Sequence, residues 1–426
     1  MLERLSLLIL ILIPFLSSSQ IAKKKINLAP INSINSDDFS DLTFLDEHIE
    51  NKKVVFLGES HHGIDDFHQL KFRLIKYLHQ KHGFEVVAFE SGVANIGYTE
   101  LFKDSLTGME MLAHSLMGFW RVPVNCELMT YSRDNKLHLS GLDPFSKSLY
   151  FTKEYYHKLD LTEEVMNRLF YADSAFSWSY SLEKSKRFFA YKKDGSLKQS
   201  ADLDSIATQL KHEYSEIYNK LKTSDTYQNK ILRRGILSNL QILNNSNDLK
   251  SPYYYGKNQL RDSSMAKNLE YLIDSLYPNK KIIVLAHNIH IQKTTNGTTV
   301  KGKFKGTEKK QVYDSRYSIG VFLNSKIKSQ SYVVGLLATS GTYTNGYNPP
   351  AKIKLKRRSL ERIINGFNSK AAFTPTSKLK DVNYKTLRFN VYTYTKEVEN
   401  LFDGIIFVKD VKGIRIIRKS DGFKCE

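Results

Sequence analysis

Four short apolar runs in this chain are each followed at once by acidic or imidazole side chains. Residues 52–57 (KKVVFL) lead into Gly58, Glu59, Ser60, His61, His62 and Gly63. Residues 85–89 (EVVAF) lead into Glu90, Ser91 and Gly92, and residues 137–142 (LHLSGL) into Asp143 and Pro144. Residues 280–286 (KKIIVLA) lead into His287, Asn288, Ile289 and His290. Such groups move protons. A neutral imidazole takes a proton from water, and a carboxylate beside it fixes the tautomer and stabilises the imidazolium that forms. His62 stands just ahead of a helix expected to start near Asp65, and the partial positive charge of a helix N-terminus disfavours the protonated ring. Read alone, His62 would be a capping or loop histidine. Read with Glu59, Glu90, His287 and His290, it is the candidate base.

No serine or cysteine nucleophile accompanies these groups. The G-x-S-x-G elbow is missing, and Ser60 lacks the pattern around it. Water is then the simplest attacking group, with Asn288, His287 or His290 to stabilise an oxyanion. Two His and two Glu also suit a divalent ion, though the helical H-E-x-x-H arrangement is absent. The expectation is therefore no cofactor, with a divalent metal kept as the alternative.

The elements must bring these groups together. Runs such as VVFL and IIVLA are apolar on consecutive residues, as in strands buried on both faces of a parallel sheet. Residues 331–338 (SYVVGLLA) and 402–408 (FDGIIFV) read the same way. Between the first two runs, Phe67, Leu70, Leu74, Ile75 and Leu78 recur at helical spacing, and Gly83 supplies a helix stop. The pattern predicts an α/β fold: a largely parallel central sheet flanked by helices. Residues 152–275, rich in Lys, Glu, Tyr and Leu at helical periods, read as a helical insertion covering the active-site edge. Residues 294–312 are polar and read as a loop near the site. In open α/β sheets ligands bind beyond the carboxyl ends of the strands, so parallel strands would gather all four sets of groups at one edge.

The 426 residues suffice for one large domain with an elaborate insertion. Residues 1–19 have a charged start, an apolar run and a serine-rich end, the pattern of a cleaved secretory signal. This leaves 20–426 as the mature, exported chain, periplasmic or secreted. Cys126 and Cys425 are expected to be unpaired, because a terminal tail is usually mobile. The formal charge is +19. It fits a solvated basic surface touching an anionic envelope peripherally or taking an acidic ligand, and it leaves a non-catalytic envelope-glycan binding protein as the alternative to an enzyme. No nucleic-acid motif is present.

At these motifs the chain resembles the erythromycin esterase family. Residues 58–92 (GESHHGIDDFHQLKFRLIKYLHQKHGFEVVAFESG) resemble its opening signature, residues 261–266 (RDSSMA) its RDxxMA segment and residues 286–290 (AHNIH) its AHNxH segment. Ser318-Ile319-Gly320 and residues 402–406 (FDGII) fit as well. The resemblance implies an α/β core with helical additions and a deep cleft. It also implies hydrolysis of an ester, in named members a macrolide lactone. By motif, His62 would activate water, Glu59 and Glu90 would support it, and His287 and His290 would complete the site. Lys71 stands where some members have arginine, two residues before Arg73. It keeps the charge toward an anionic or carbonyl group but loses the bidentate fork. Arg261 and Asn288 would lie at the cleft, with Trp120 and Arg121 reaching toward it. Aromatics of the middle region, among them Trp178, Tyr180 and Tyr253, would line an apolar pocket.

Overall fold

The computed structural model describes residues 26–144, 153–176, 201–244, 256–294, 318–344, 349–380 and 398–418, with shorter pieces at 299–302, 311–314, 382, 384, 387–388, 392–394, 421–422 and 425. The predicted signal segment and the aromatics Trp178, Tyr180 and Tyr253 lie outside the described residues.

In chain order the main elements are β1 (Ala29–Ile31), β2 (Val54–Leu57), α1 (Asp65–His82), β3 (Phe84–Gly92), α2 (Val93–Phe102), α3 (Gly108–Ser115), α4 (Pro123–Asp134) and β4 (His138–Asp143). Then come α5 (Ala201–Leu221), α6 (Tyr227–Asn244), α7 (Gly256–Tyr271), β5 (Lys281–Leu285), β6 (Ser331–Ala338), β7 (Ala371–Pro375) and β8 (Gly404–Val408). The eight strands form one sheet in the order β1-β7-β8-β6-β2-β5-β3-β4. The six strands from β8 to β4 are mutually parallel. Strand β7 runs against both of its neighbours and closes one edge with β1.

The consecutive apolar runs become strands covered on both sides. Val55, Leu57, Val87, Phe89, Ile283 and Leu285 enter one core, with α1. Val54, Phe56, Val86, Ala88, Ile282 and Val284 enter the other, with Met265, Ala266 and Leu269 of α7. Alternation at period two places successive side chains on opposite faces, so an unbroken apolar run must be buried twice. Helix α1 ends where the sequence says: Gly83, at φ 67°, adopts the left-handed turn that caps it.

Two expectations need correction. Residues 294–312 are not simply a loop, because Thr299–Gly302 pairs antiparallel with Gln311–Asp314 in a separate four-stranded sheet. The β-branched and aromatic residues Thr299, Val300, Val312 and Tyr313 suit such a ribbon despite its polar flanks. Cys126 and Cys425 are paired, with their Cα atoms 5.2 Å apart. The tail is not loose at this point: the Thr130 hydroxyl donates to the Cys425 carbonyl at 3.2 Å. Among the described residues no helix is long and apolar enough to cross a membrane.

Candidate active site

Register fixes which side chains meet. Leu57 pairs with both Leu285 and Val334, Leu285 with Phe89, and Phe89 with Gly141. These residues form one row across the sheet. Glu59, His287 and Asp143 lie two residues beyond it and Glu90 one residue beyond, so all four emerge at the same carboxyl edge.

Strand β2 passes into the loop that carries the candidate base. Gly58 is obligatory there, since a Cβ would sit 2.0 Å from Asn288 Oδ1. Asn288 donates its backbone N–H to the Glu59 carbonyl at 2.8 Å and its side-chain amide to the Leu336 carbonyl at 2.9 Å. It thus ties β2, β5 and β6 together and is fully buried, a brace rather than the substrate contact expected of it. Glu59 has no exposed surface. One of its oxygens accepts from His62 Nδ1 at 2.5 Å, and the other pairs with the Lys71 ammonium. Burial would raise the Glu59 carboxyl, but Lys71 and then His62 overcome it and hold the group well below the usual carboxylate range. With Nδ1–H committed to Glu59, the lone pair of His62 lies on Nε2. The His62 side chain is 21% exposed, so the ring is reachable where its partner is not. It stacks on Phe119 with centroids 4.8 Å apart and 4° between planes.

Strand β3 delivers Glu90 through an irregularity. Phe89 pairs with Gly141 and Gly92 with Asp143, so β3 spends one more residue than β4 across this stretch. Such a bulge re-aims side chains at the end of a strand. One Glu90 oxygen accepts the His287 backbone N–H at 2.8 Å. The other accepts from Arg261 at 2.7 Å and lies 3.3 Å from His290 Nε2. Burial works against the Glu90 carboxylate, while His290, Arg261, His62 and the His287 N–H outweigh it, so it stays ionised. Arg261, from α7, also binds Asp143 through Nε at 3.0 Å and Nη2 at 2.6 Å. It is held cationic despite burial, chiefly by Asp143 and Glu90. His290 Nδ1 is 2.6 Å from Asp262. Its Nε2 faces Arg261 at 2.9 Å and Glu90 at 3.3 Å. The neutral ring accepts from the arginine and the imidazolium donates to Glu90, so either charge state has a partner. Against burial, Asp262 and Glu90 raise its pKa.

His287 lies between the two groups, its ring centroid 5.0 Å from that of His62. Burial, then the nearby His62 ring, push its pKa down to about 3 against the pull of Glu90. Its Nδ1 accepts the Ile289 N–H at 3.2 Å, which places the proton of the neutral ring on Nε2. Such a ring donates rather than accepts.

The structure therefore brings Glu59, His62, Glu90, His287, His290, Lys71, Arg261 and Trp120 together, with Lys71 turned to Glu59 and Arg261 to Asp143 and Glu90. Trp120 is buried behind them, its ring 5.0 Å from the Lys71 ammonium. Arg73 is the exception. Its guanidinium holds the carbonyls of Ser36 at 2.8 Å and Ser33 at 2.7 Å and the carboxylate of Asp41 at 2.5 Å, away from the cluster. Positions 71 and 73 on a helix point roughly 200° apart, so both cannot face the site. Arg121 likewise turns to the carbonyls of Leu116 and Ala113. Sequence reasoning missed His68. It is buried, its Nε2 is 3.1 Å from the His62 carbonyl and its Nδ1 is 3.3 Å from the Asn125 amide. Burial lowers its pKa and keeps the ring neutral. The available signal was its spacing: His68 lies three residues before Lys71, on the same helix face.

The model of the erythromycin esterase family matches residues 79–411. The chain belongs to that family. As a member of this hydrolase family it is 26% identical to YbfO of Bacillus subtilis, a hydrolase by name, over 91% of this chain and 90% of that one. It is also 26% identical to the type I erythromycin esterase of Escherichia coli, over 60% of this chain and 66% of that one. Among solved structures, it superposes on a succinoglycan biosynthesis protein with a TM-score of 0.67 at 17% identity, covering 92% and 96% of the two chains. It superposes on the erythromycin esterase EreC, a histidine-to-asparagine variant in its open conformation, with a TM-score of 0.59 at 18% identity, covering 90% and 98%. At these identities the structural likenesses establish the fold alone. The family match spans Glu90, Asp143, Arg261, His287 and His290, whereas Glu59, His62 and Lys71 lie before its first matched residue.

Proposed function

We propose that this family member hydrolyses a carboxylic ester or lactone with water activated by His62. The single observation that carries the reading is the 2.5 Å contact of His62 Nδ1 with a fully buried Glu59, which directs the lone pair to Nε2. Nε2 takes a proton as the water oxygen bonds to the carbonyl carbon, and the carbonyl electron pair moves to oxygen. The Nε2–H of neutral His287 is suited to donate to that oxyanion. Collapse breaks the bond to the alcohol oxygen, and the His62 imidazolium returns its proton to the leaving alkoxide. The products are a carboxylic acid and an alcohol, joined in one molecule if the substrate is a lactone. Lys71 keeps Glu59 ionised, and His68 holds the His62 backbone.

A metal-dependent reaction at the same residues stands second. A divalent ion would have to displace Lys71 from Glu59 and Arg261 from Glu90. Among the described residues no three or more His, Cys, Asp or Glu side chains are grouped to hold a metal. Export remains part of the proposal, supported by the Cys126–Cys425 pair, because disulfides persist in oxidising compartments.

The test is a panel of aryl esters and macrolide lactones assayed with wild type and His62→Asn. Loss of a positioned general base costs roughly 10²–10⁴-fold in rate. A fall of that size with an unchanged melting curve is expected. Activity within a few-fold of wild type would remove His62 from the mechanism.

A further inference from the structure

Two chain segments clasp the loop that carries His62. The Gly63 carbonyl accepts from Thr344 N at 3.0 Å and Ile414 N at 3.3 Å, and Asp65 N donates to the Lys412 carbonyl at 2.9 Å. Ile64 bridges Gly413, and Gly341 bridges Val411. Farther along, Ile417 N donates to the Arg121 carbonyl at 2.9 Å, which ties the second segment to the turn bearing Phe119. The clasp thus runs from one side of the candidate base to the aromatic ring stacked on it.

The composition of these segments is lopsided. Lys352, Arg357, Arg358, Lys412, Arg415 and Arg418 are all exposed, and the only acidic residue in 341–358 and 409–418 is Asp410. Asp410 is already bound to the Ser340 hydroxyl at 2.8 Å. The acids at the start of α1 are engaged too: Asp66 pairs with Lys370 at 2.7 Å and accepts Lys412 N at 2.6 Å, and Asp65 accepts from Gln69 at 2.5 Å. Inside the cluster, Lys71 and Arg261 are likewise committed to carboxylates. Among the described residues, the segments bonded to the loop that carries His62 thus hold a clear excess of exposed cations over acids. Beside it, Phe119 is 37% exposed and offers an apolar face.

We propose that this clasp selects an anionic substrate: an ester whose apolar body lies against Phe119 and which carries a carboxylate or phosphate group toward the basic segments. The proposal rests on the esterase reading and names its substrate class. Fields of one sign around a cleft raise the encounter rate of opposite charges by about 10–10³-fold, and salt removes the effect. A surface-attachment patch has no need to be bonded to the catalytic loop, so its place in the fold favours substrate selection.

The experiment compares isosteric aryl acetates bearing a carboxylate, a carboxamide or a trimethylammonium group. At low salt kcat/KM should fall in that order, by about tenfold between anionic and neutral esters, and should converge as sodium chloride rises. In the R357Q/K412Q/R415Q variant, shown by circular dichroism to be folded, the anionic-to-neutral ratio should contract toward one. The matching non-hydrolysable amides, titrated by calorimetry, give a readout that needs no turnover. Preferential binding of the anionic amide supports the clasp even if every ester is inert, a result that would instead overturn the hydrolytic reading. Equal binding and equal kcat/KM across the three charges would overturn the proposal. So would a preference insensitive to salt and to the substitutions. Cosedimentation with anionic phosphatidylglycerol vesicles, without any preference among the small esters and amides, would overturn it in favour of attachment to a surface.

Discussion

Glu59 and Glu90 both emerge at the carboxyl edge of the sheet, both are buried, and each faces a histidine and a basic side chain. Their surroundings nevertheless set different roles. Glu59 divides its oxygens between one cation, Lys71, and one imidazole, His62, whose side chain stays partly exposed. Around Glu90 the numbers differ: Arg261 also serves Asp143, and His290 also serves Asp262, so its imidazole is enclosed by charged partners. The same residue types make a poised base on one side and a charge-locked brace on the other. What separates them is the number of partners and the exposure of the histidine side chain, 21% for His62 against 11% for His290.

The first way to break this comparison is to neutralise each carboxylate in turn. Glu59→Gln should lower kcat by about 10²–10⁴-fold, because His62 loses the partner that fixes its tautomer. Removing one member of a buried pair also costs roughly 3–5 kcal/mol, so its melting point should fall as well. Glu90→Gln should cost similar stability, seen by urea unfolding, with a smaller loss in kcat. Equal kcat losses would erase the distinction between the two sides.

Acid unfolding sharpens it next. A buried neutral imidazole with a pKa of about 3 binds its proton less readily than the same ring in the unfolded chain, at about 6.5. Between those values the unfolded state holds more protons, so stability falls as pH drops from about 6.5 toward 3 and is independent of this group above 6.5. Each pH unit costs on the order of 1 kcal/mol. His287→Asn should flatten that slope, measured by urea midpoints across the window. His290→Asn should not flatten it, because its pKa is raised. The smallest effect on activity belongs to Cys425→Ser. Loss of a native disulfide costs about 2–5 kcal/mol, so thermal unfolding should shift clearly while kcat/KM stays within a few-fold.

The parallel strands and the residues at their ends were legible because an apolar run buried on both faces leaves a plain trace, and register did the rest. Strands β1 and β7 left none: Ala29–Ile31 is three residues long with a proline, and Ala371–Pro375 is mostly small side chains. Helix geometry could have separated Lys71 from Arg73 and paired His68 with Lys71, since both relations follow from the angle per residue. The division of labour between Glu59 and Glu90 could not be read, because it depends on Arg261 and Asp262, which return from more than a hundred residues away on α7. The bond between Cys126 and Cys425 was hidden for the same reason, with the two cysteines 299 positions apart.

Nitrogen-15 spectra of histidine-labelled protein, compared between wild type and His62→Asn, test the central claim most directly. At neutral pH the pair of signals lost on substitution should show a protonated, pyrrole-type Nδ1 and an unprotonated, pyridine-type Nε2. A His62 ring with the proton on Nε2 and the lone pair on Nδ1 would contradict the account, since no base would then face the substrate.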